Sequence, residues 1–120
     1  MYEFEEKLKE SISFKEGRGR PNVTALWIRG YLLENGPDYV ANMHRKYKEF
    51  CKKIGYKPSK YASFVRYIAE LRNLGLIEVV ATQPTDKRPF LVDRKYYDIK
   101  DPDLSLWNRP FSNGYRSKNK

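Results

Sequence analysis

Residues 63–78 read SFVRYIAELRNLGLIE, and this stretch decides how the middle of the chain folds. Apolar side chains recur at helical spacing as far as Leu71, and Gly75 then interrupts the pattern. Glycine is favoured just after a helix because it adopts the left-handed backbone conformation without strain. The residues that follow, LIEVVAT, are apolar and β-branched, which is typical of a strand. The stretch therefore predicts a helix, a glycine turn and the first strand of a sheet.

Two further helices are predicted upstream. The first runs from about Val23 to Glu34 and is followed by stop signals. Its inward side chains are expected to be Leu26, Trp27, Leu32 and Leu33. The second follows Asp38, which is its expected N-cap, and ends at Gly55. Its apolar residues share one face at about 100° per residue: Val40, Met43, His44, Tyr47, Phe50, Cys51 and Ile54.

The helix in the quoted stretch is expected to start at Pro58 or Ser59. Its predicted inward face consists of Tyr61, Phe64, Val65, Ile68 and Leu71. Ser59, Ser63 and Arg66 follow the spacing i, i+4, i+7 and are therefore expected on the opposite face. Lys60 and Tyr67 are placed at one margin of that face. The sequence thus predicts a polar, positively charged surface along this helix.

Residues 76–99 predict a hairpin. Its strands are joined by the turn-rich segment QPTDKRP, residues 83–89, and a bulge is expected around Asp93 and Arg94. Beyond it, three side chains are expected to pack back on the core: Leu104, Leu106 and Trp107. At the other end, residues 1–16 predict a short amphipathic helix that packs on the domain or on a second copy of the chain.

The charge of the chain favours a polyanionic partner. Its 120 residues contain 24 Lys+Arg against 15 Asp+Glu, a formal net charge of +9, which suits DNA, RNA or an anionic surface. Cys51 is the one cysteine, which excludes an intrachain disulfide and is compatible with a reducing cytoplasm. No apolar run approaches about 18 residues, so no membrane-spanning segment is predicted.

The sequence lacks the residue sets that catalysis would need. His44 is the one histidine and falls on an apolar face, where a packed imidazole is expected rather than a base or a ligand. No Ser/His/Asp set can therefore be assembled, and no Walker-type loop is present. The chain is predicted not to be an enzyme and to need neither a cofactor nor a metal.

Three helices followed by a hairpin, with Leu71, Leu74 and the run Gly75-Leu76-Ile77-Glu78, resemble the winged helix-turn-helix family. The resemblance covers residues 22–99 and is nearest to small archaeal and viral regulators. It implies an α+β, mainly helical fold with a three-helix core and a β-hairpin wing. Residues 1–21 are then an N-terminal helix and basic arm, and residues 100–120 are a C-terminal extension and basic tail.

In that family the third helix enters the major groove of double-stranded DNA and the wing lies on backbone or minor groove. The resemblance therefore implies a transcriptional regulator, located in the cytoplasm at the nucleoid or in host cytoplasm. Groove contacts are expected from Ser59, Lys60, Ser63, Arg66 and Tyr67. Phosphate contacts are expected from Lys46, Lys52, Lys53 and Lys57, and wing contacts from Lys87 and Arg88.

Residues 18–21, RGRP, resemble the core of AT-hook motifs. In such motifs the glycine lies flat on the floor of an A/T-rich minor groove, the arginines extend along it, and the proline keeps the chain extended. Arg18, Gly19 and Arg20 are therefore further candidates for DNA contact. The alternative is that Pro21 merely marks the start of the next helix.

Two other functions remain open from the sequence. A winged-helix domain can dock proteins, and residues 1–16 could mediate this or form a homodimer. The same basic surface, together with exposed tyrosines, could bind RNA instead.

Overall fold

The computed structural model describes residues 3–13, 20–85, 92–108 and 110–111. Its elements, in chain order, are α1 (Glu3–Ser13), α2 (Arg20–Asn35), α3 (Val40–Ile54), α4 (Tyr61–Asn73), β1 (Ile77–Thr85), β2 (Val92–Ile99) and α5 (Leu104–Trp107). The two strands pair antiparallel. The predicted order of helices and hairpin is confirmed.

Helix α2 is the centre of the core and is covered from several directions. Trp27 and Ile28 are fully buried, and Leu32 is 1% exposed. Helices α1, α3, α4 and α5 and strand β2 all contact α2. Leu33, which was predicted to face inward, is 50% exposed: with the half-buried Leu26 and Arg29 it lies on a side of α2 that its neighbours cover only partly.

Helix α1 packs tightly on α2 within the same chain. Leu8 is buried, and the Phe4 ring occupies the space that a side chain on Gly30 would need, so an added Cβ would overlap that ring. The buried carboxylate of Glu5 accepts a 2.7 Å hydrogen bond from the Trp27 indole N–H. The apolar stripe that could have met a second copy is thus at least partly used inside the chain.

Helix α3 has the predicted buried face. Met43, His44, Tyr47, Phe50 and Cys51 are buried, and Val40 and Ile54 are partly buried against the same core. The prediction that Asp38 is the N-cap of α3 was wrong, because Tyr39 occupies that position. The Asp38 carboxylate instead accepts hydrogen bonds from Tyr31 at 2.7 Å and from Asn42 at 2.6 Å, while its backbone forms a bridge with Tyr97.

Helix α4 is rotated about its axis relative to the prediction. Phe64, Ile68 and Leu71 are buried as expected, but Tyr61 is 49% and Val65 is 39% exposed, which corrects their assignment to the inward face. Tyr67 is buried instead, with its ring 5.5 Å from that of Phe111. The aromatic contact from the C-terminal segment therefore turns α4 towards Tyr67.

The hairpin has the predicted position but not the predicted bulge. The irregularity lies in β1 between Val79 and Ala81, rather than around Asp93 and Arg94, where pairing is regular. Val80 is the extra residue and is 46% exposed. Strand β1 also extends to Thr85, further than the predicted link at residues 83–89 allows.

The C-terminal segment packs through one tryptophan. Trp107 is fully buried, and its indole N–H donates to the Asp101 carbonyl at 2.6 Å. Leu104 and Leu106, which were also predicted to pack inward, are 53% and 46% exposed. A helix of only four residues can present one side to the core, and that side carries Trp107.

Candidate nucleic-acid interface

The exposed face of α4 is the centre of the candidate site. Ala62, Arg66 and Ala69 are exposed, and so is Asn73 at the end of the helix. These four residues follow helical spacing and form one strip along α4. The two alanines beside Arg66 add little side-chain bulk to this strip.

Lys60 and Ser63 lie beside this strip. Lys60 is the exposed N-cap residue of α4, and Ser63 is half-buried one turn into the helix. Together with Arg66, they remain accessible, as the sequence predicted. We refer below to Lys60, Ala62, Ser63, Arg66, Ala69 and Asn73 as the α4 face.

Two predicted groove contacts are not on the surface. Tyr67 is 6% exposed because it packs against Phe111, and Ser59 is 4% exposed. The Ser59 hydroxyl lies 3.3 Å from Thr24 Oγ1, and the Ser59 carbonyl accepts a 2.9 Å hydrogen bond from His44 Nε2. Neither side chain can reach a base edge from this position, so both assignments were wrong.

The histidine has the packed role that the sequence predicted. His44 is buried, and its ring lies 5.3 Å from Tyr61 and 5.1 Å from Phe64, both in the first turn of α4. Because a carbonyl can only accept, Nε2 carries the proton that bonds to Ser59. His44 therefore joins α3 to the start of α4.

Cations also surround the connection between α3 and α4. Lys52, Lys53 and Lys57 are exposed and Lys46 is half-buried. By helical spacing, the exposed Lys48 and Lys52 follow His44 on the same side of α3. Lys46 and Lys53 lie on the other side of α3. Lys46, Lys52 and Lys53, which were predicted together as phosphate contacts, therefore do not lie on one side of α3.

A shallow groove of about 340 Å³ separates α4 from the hairpin. Val40, Val65, Ile68, Ala69 and Tyr97 supply its apolar lining. Arg72 and Asn73, at the end of α4, supply its polar groups.

Further along the hairpin, the exposed Arg94 places its guanidinium 4.1 Å from the centre of the Tyr39 ring. Such stacking orients an arginine while its N–H groups remain able to bind an anion. The hairpin thus adds an ordered cation beyond this groove.

Among the described residues, Tyr47 in the core has a markedly shifted pKa. Burial raises the pKa of the Tyr47 phenol well above its ordinary value. Its hydroxyl lies 2.8 Å from Thr24 Oγ1, so the neutral form is both buried and hydrogen-bonded. The phenol is therefore a structural group that links α3 to α2.

Several predicted contacts lie outside the described residues: Arg18, Gly19, Lys87 and Arg88. Arg20 and Pro21 are described and form the first turn of α2. The extended backbone that an AT-hook would need is therefore absent at these two positions, and Pro21 lies in the first turn of a helix, in agreement with the alternative.

Sequence reasoning missed Lys48, Ala62, Ala69, Arg72, Asn73 and Arg94. For α4 the signal was present: had Tyr67 rather than Val65 been placed inward, the helical periodicity would have put Ala62, Ala69 and Asn73 beside Arg66. The stacking of Arg94 on Tyr39 joins residues that are far apart in sequence. No local pattern reports such a contact.

Within the described parts of the chain, no group of three or more His, Cys, Asp or Glu side chains could hold a metal ion. Among the same residues, no helix is both long and apolar enough to cross a membrane.

Residues 34–88 match the family model of the CDC6 C-terminal winged helix domain. The match spans α3, α4 and β1 and therefore includes the α4 face. The match, together with the helical core and its two-stranded hairpin, supports a winged-helix family for this chain. A winged-helix domain is typically a DNA-binding module rather than a catalytic one. No curated protein shows a significant match to the sequence.

Proposed function

We propose that this winged-helix protein binds double-stranded DNA with sequence preference, through the α4 face in the major groove, and that it regulates transcription. The observation that carries the proposal is the α4 face itself: a helix surface with an arginine between two alanines, on an element whose other side is buried. Arginine can bond guanine O6 and N7 with both arms of its guanidinium, and alanine can contact a thymine methyl group.

The distribution of charge supports the same surface. Residues 44–72 contain nine Lys and Arg but only two acidic residues, Glu49 and Glu70. This segment therefore carries most of the net charge of +9 of the whole chain. Four of the exposed members, Lys52, Lys53, Lys57 and Lys60, lie at or next to the α3–α4 connection. Cations in such numbers supply the affinity for phosphates that does not depend on sequence.

The hairpin would then lie on the flanking backbone. A DNA strand that leaves the major groove beside α4 would pass the groove lined by Arg72 and Asn73 before it reaches Arg94. Lys87 and Arg88, in the link between the strands, are proposed to contact the backbone or minor groove. Arg18 and Gly19, which precede the described start of α2, are proposed to reach the adjacent minor groove.

The decisive experiment selects bound duplexes from a random pool and then compares affinities for the selected and a scrambled duplex. Arg66→Ala should reduce the preference by a factor equivalent to about 1–3 kcal/mol, since a bidentate base contact is lost. Arg66→Lys should retain the charge but not the preference, because lysine lacks the planar fork. Arg45→Ala is the matched control: Arg45 is an exposed arginine of α3 that contacts Glu49 at 3.4 Å.

Equal loss of affinity for both duplexes in Arg66→Ala would show that the groove assignment is wrong. Lys87→Ala combined with Arg88→Ala should instead weaken both duplexes alike. Stronger binding to structured RNA than to any duplex would favour the RNA-binding alternative. Occupancy of the selected site near a promoter, with altered transcript level on deletion of the gene, would test the regulatory role.

A further inference from the structure

The start of α4 is held from outside the helix. Lys60, its N-cap residue, makes no side-chain hydrogen bond to the first turn. The preceding residue, Ser59, is buried and is held at two atoms: its carbonyl by His44 of α3 and its hydroxyl by Thr24 of α2. The position of the first turn of α4 is therefore fixed by two other helices.

The group behind Ser59 has little freedom. Thr24 is fully buried, and its Oγ1 lies 2.8 Å from the Tyr47 hydroxyl as well as 3.3 Å from that of Ser59. The Tyr47 ring packs at 5.4 Å from Trp27 and 5.7 Å from Phe64. Because a buried hydroxyl without a partner is unfavourable, these groups favour one common arrangement.

We propose that Thr24 and His44 are positioning residues for base discrimination, acting through Ser59 on the α4 face; this rests on the proposed function. Both are buried and cannot touch DNA. Lys60 is the next residue after Ser59, and Ser63 and Arg66 follow within two turns. Base readout needs hydrogen-bond geometry held within a fraction of an ångström, whereas phosphate attraction tolerates larger displacements. Loss of these bonds should therefore lower discrimination more than general affinity.

Thr24→Val tests this directly, since valine keeps the shape of threonine but lacks its hydroxyl. The measured quantity is the ratio of affinities for the selected and the scrambled duplex, at a temperature where the variant is folded. We expect the ratio to fall about fivefold to tenfold, the effect of roughly one lost hydrogen bond, the bond to Ser59, while scrambled-duplex affinity changes less than about twofold. Thr24→Ser, which restores the hydroxyl, should retain the ratio. His44→Phe should lower it, because the donor to the Ser59 carbonyl is gone.

Tyr31→Phe provides the matched control for stability. It also removes a buried hydroxyl from α2, but at the other end, where Tyr31 bonds Asp38 at 2.7 Å. It should lower the melting temperature comparably and leave the ratio unchanged. An unchanged ratio in Thr24→Val, or the same fall in Tyr31→Phe, would overturn the proposal.

Ser59→Ala covers the case in which Thr24→Val does not fold. It removes only the hydroxyl and keeps the carbonyl that His44 holds, so a reduced ratio is again the supporting result and an unchanged ratio the opposing one. The two proposals fail differently. A wild-type chain without duplex preference would contradict the proposed function, whereas a wild-type preference that all these variants retain would contradict the positioning role alone.

Discussion

Helices α2 and α4 are built from similar apolar residues but differ in how much of their surface is covered. Five other elements contact α2, and most of its side chains from Asn22 to Leu32 are buried. Helix α4 buries one side and leaves Ala62, Arg66 and Ala69 exposed. The difference separates a helix whose burial stabilises the fold, α2, from a helix that leaves a surface available for a partner, α4.

The elements that complete the cover of α2 lie outside the three-helix and hairpin core. Helix α1 packs over Gly30. The segment after β2 is hydrogen-bonded to α2 near both of the segment's own ends: Arg29 donates to the Pro102 carbonyl at 3.0 Å, and the Phe111 N–H donates to Asn22 at 3.0 Å. We infer that the two terminal segments stabilise the fold, while the α4 face recognises the partner. Each prediction below tests this division.

The largest effect is expected at the C-terminal segment. Trp107→Ala should lower the free energy of unfolding by about 3–5 kcal/mol, because it removes a fully buried tryptophan from beside α2. Denaturant titration monitored by circular dichroism measures the change. Leu106→Ala is the control, since its side chain is 46% exposed and its loss should cost less than about 0.5 kcal/mol. Equal costs in the two variants would mean that α5 does not pack as described.

The contact between α1 and α2 gives the next prediction. Gly30→Ala should destabilise the protein by about 1–3 kcal/mol, because its Cβ would overlap the Phe4 ring and α1 would have to shift. Phe4→Ala frees that space, so the double variant should be less destabilised than the sum of the two single variants. Strictly additive costs would contradict close packing at this point. DNA preference should be unchanged in all three variants if the α4 face acts independently of α1.

The helix faces could be predicted from the sequence only where one side of the helix is covered by the core. The face of α3 was predicted correctly because one core covers one side, so periodicity alone identifies it. Helix α2 has no single apolar face, so its periodicity could not show that Leu33 is exposed. For α4, Val65 and Tyr67 were equally plausible inward residues, and the contact with Phe111, which is distant in sequence, decided between them.

The candidate site was predictable to a similar extent. Arg66 and Lys60 were correctly placed on the surface because charged side chains are rarely buried. Ser59 was misplaced because a serine before a helix is most often a cap or an exposed residue, and its partners Thr24 and His44 come from other helices. Tertiary hydrogen bonds of this kind leave no periodic signal.

Stability at alkaline pH should depend on the hydroxyl that joins α2 to α3. Burial raises the pKa of Tyr47, so above about pH 10 the unfolded chain releases this proton while the folded chain retains it. Stability should then fall with rising pH, by up to about 1.4 kcal/mol per pH unit from this group. Tyr47→Phe should reduce that slope relative to wild type, in denaturant titrations between pH 9 and pH 11 (about one unit either side of the ordinary pKa). Thr24→Val keeps the phenol and should keep the slope; a wild-type slope in Tyr47→Phe would contradict the prediction.

The smallest effect on stability is expected at the cations at the two ends of α4. Their replacement is also the clearest test of the contrast between α2 and α4. Lys60 and Arg72 are exposed, so replacing each by alanine should change the free energy of unfolding by less than about 0.5 kcal/mol. Their loss should nevertheless reduce the dependence of DNA affinity on salt, by about 0.9 in the log–log slope for each phosphate contact removed. Lys7→Ala, at an exposed lysine of α1, is the matched control and should leave the slope unchanged. If Lys7→Ala reduced the slope as much as the α4 variants, DNA would contact the side of the molecule that α1 covers. The assignment of stability to the terminal segments and recognition to α4 would then have to be abandoned.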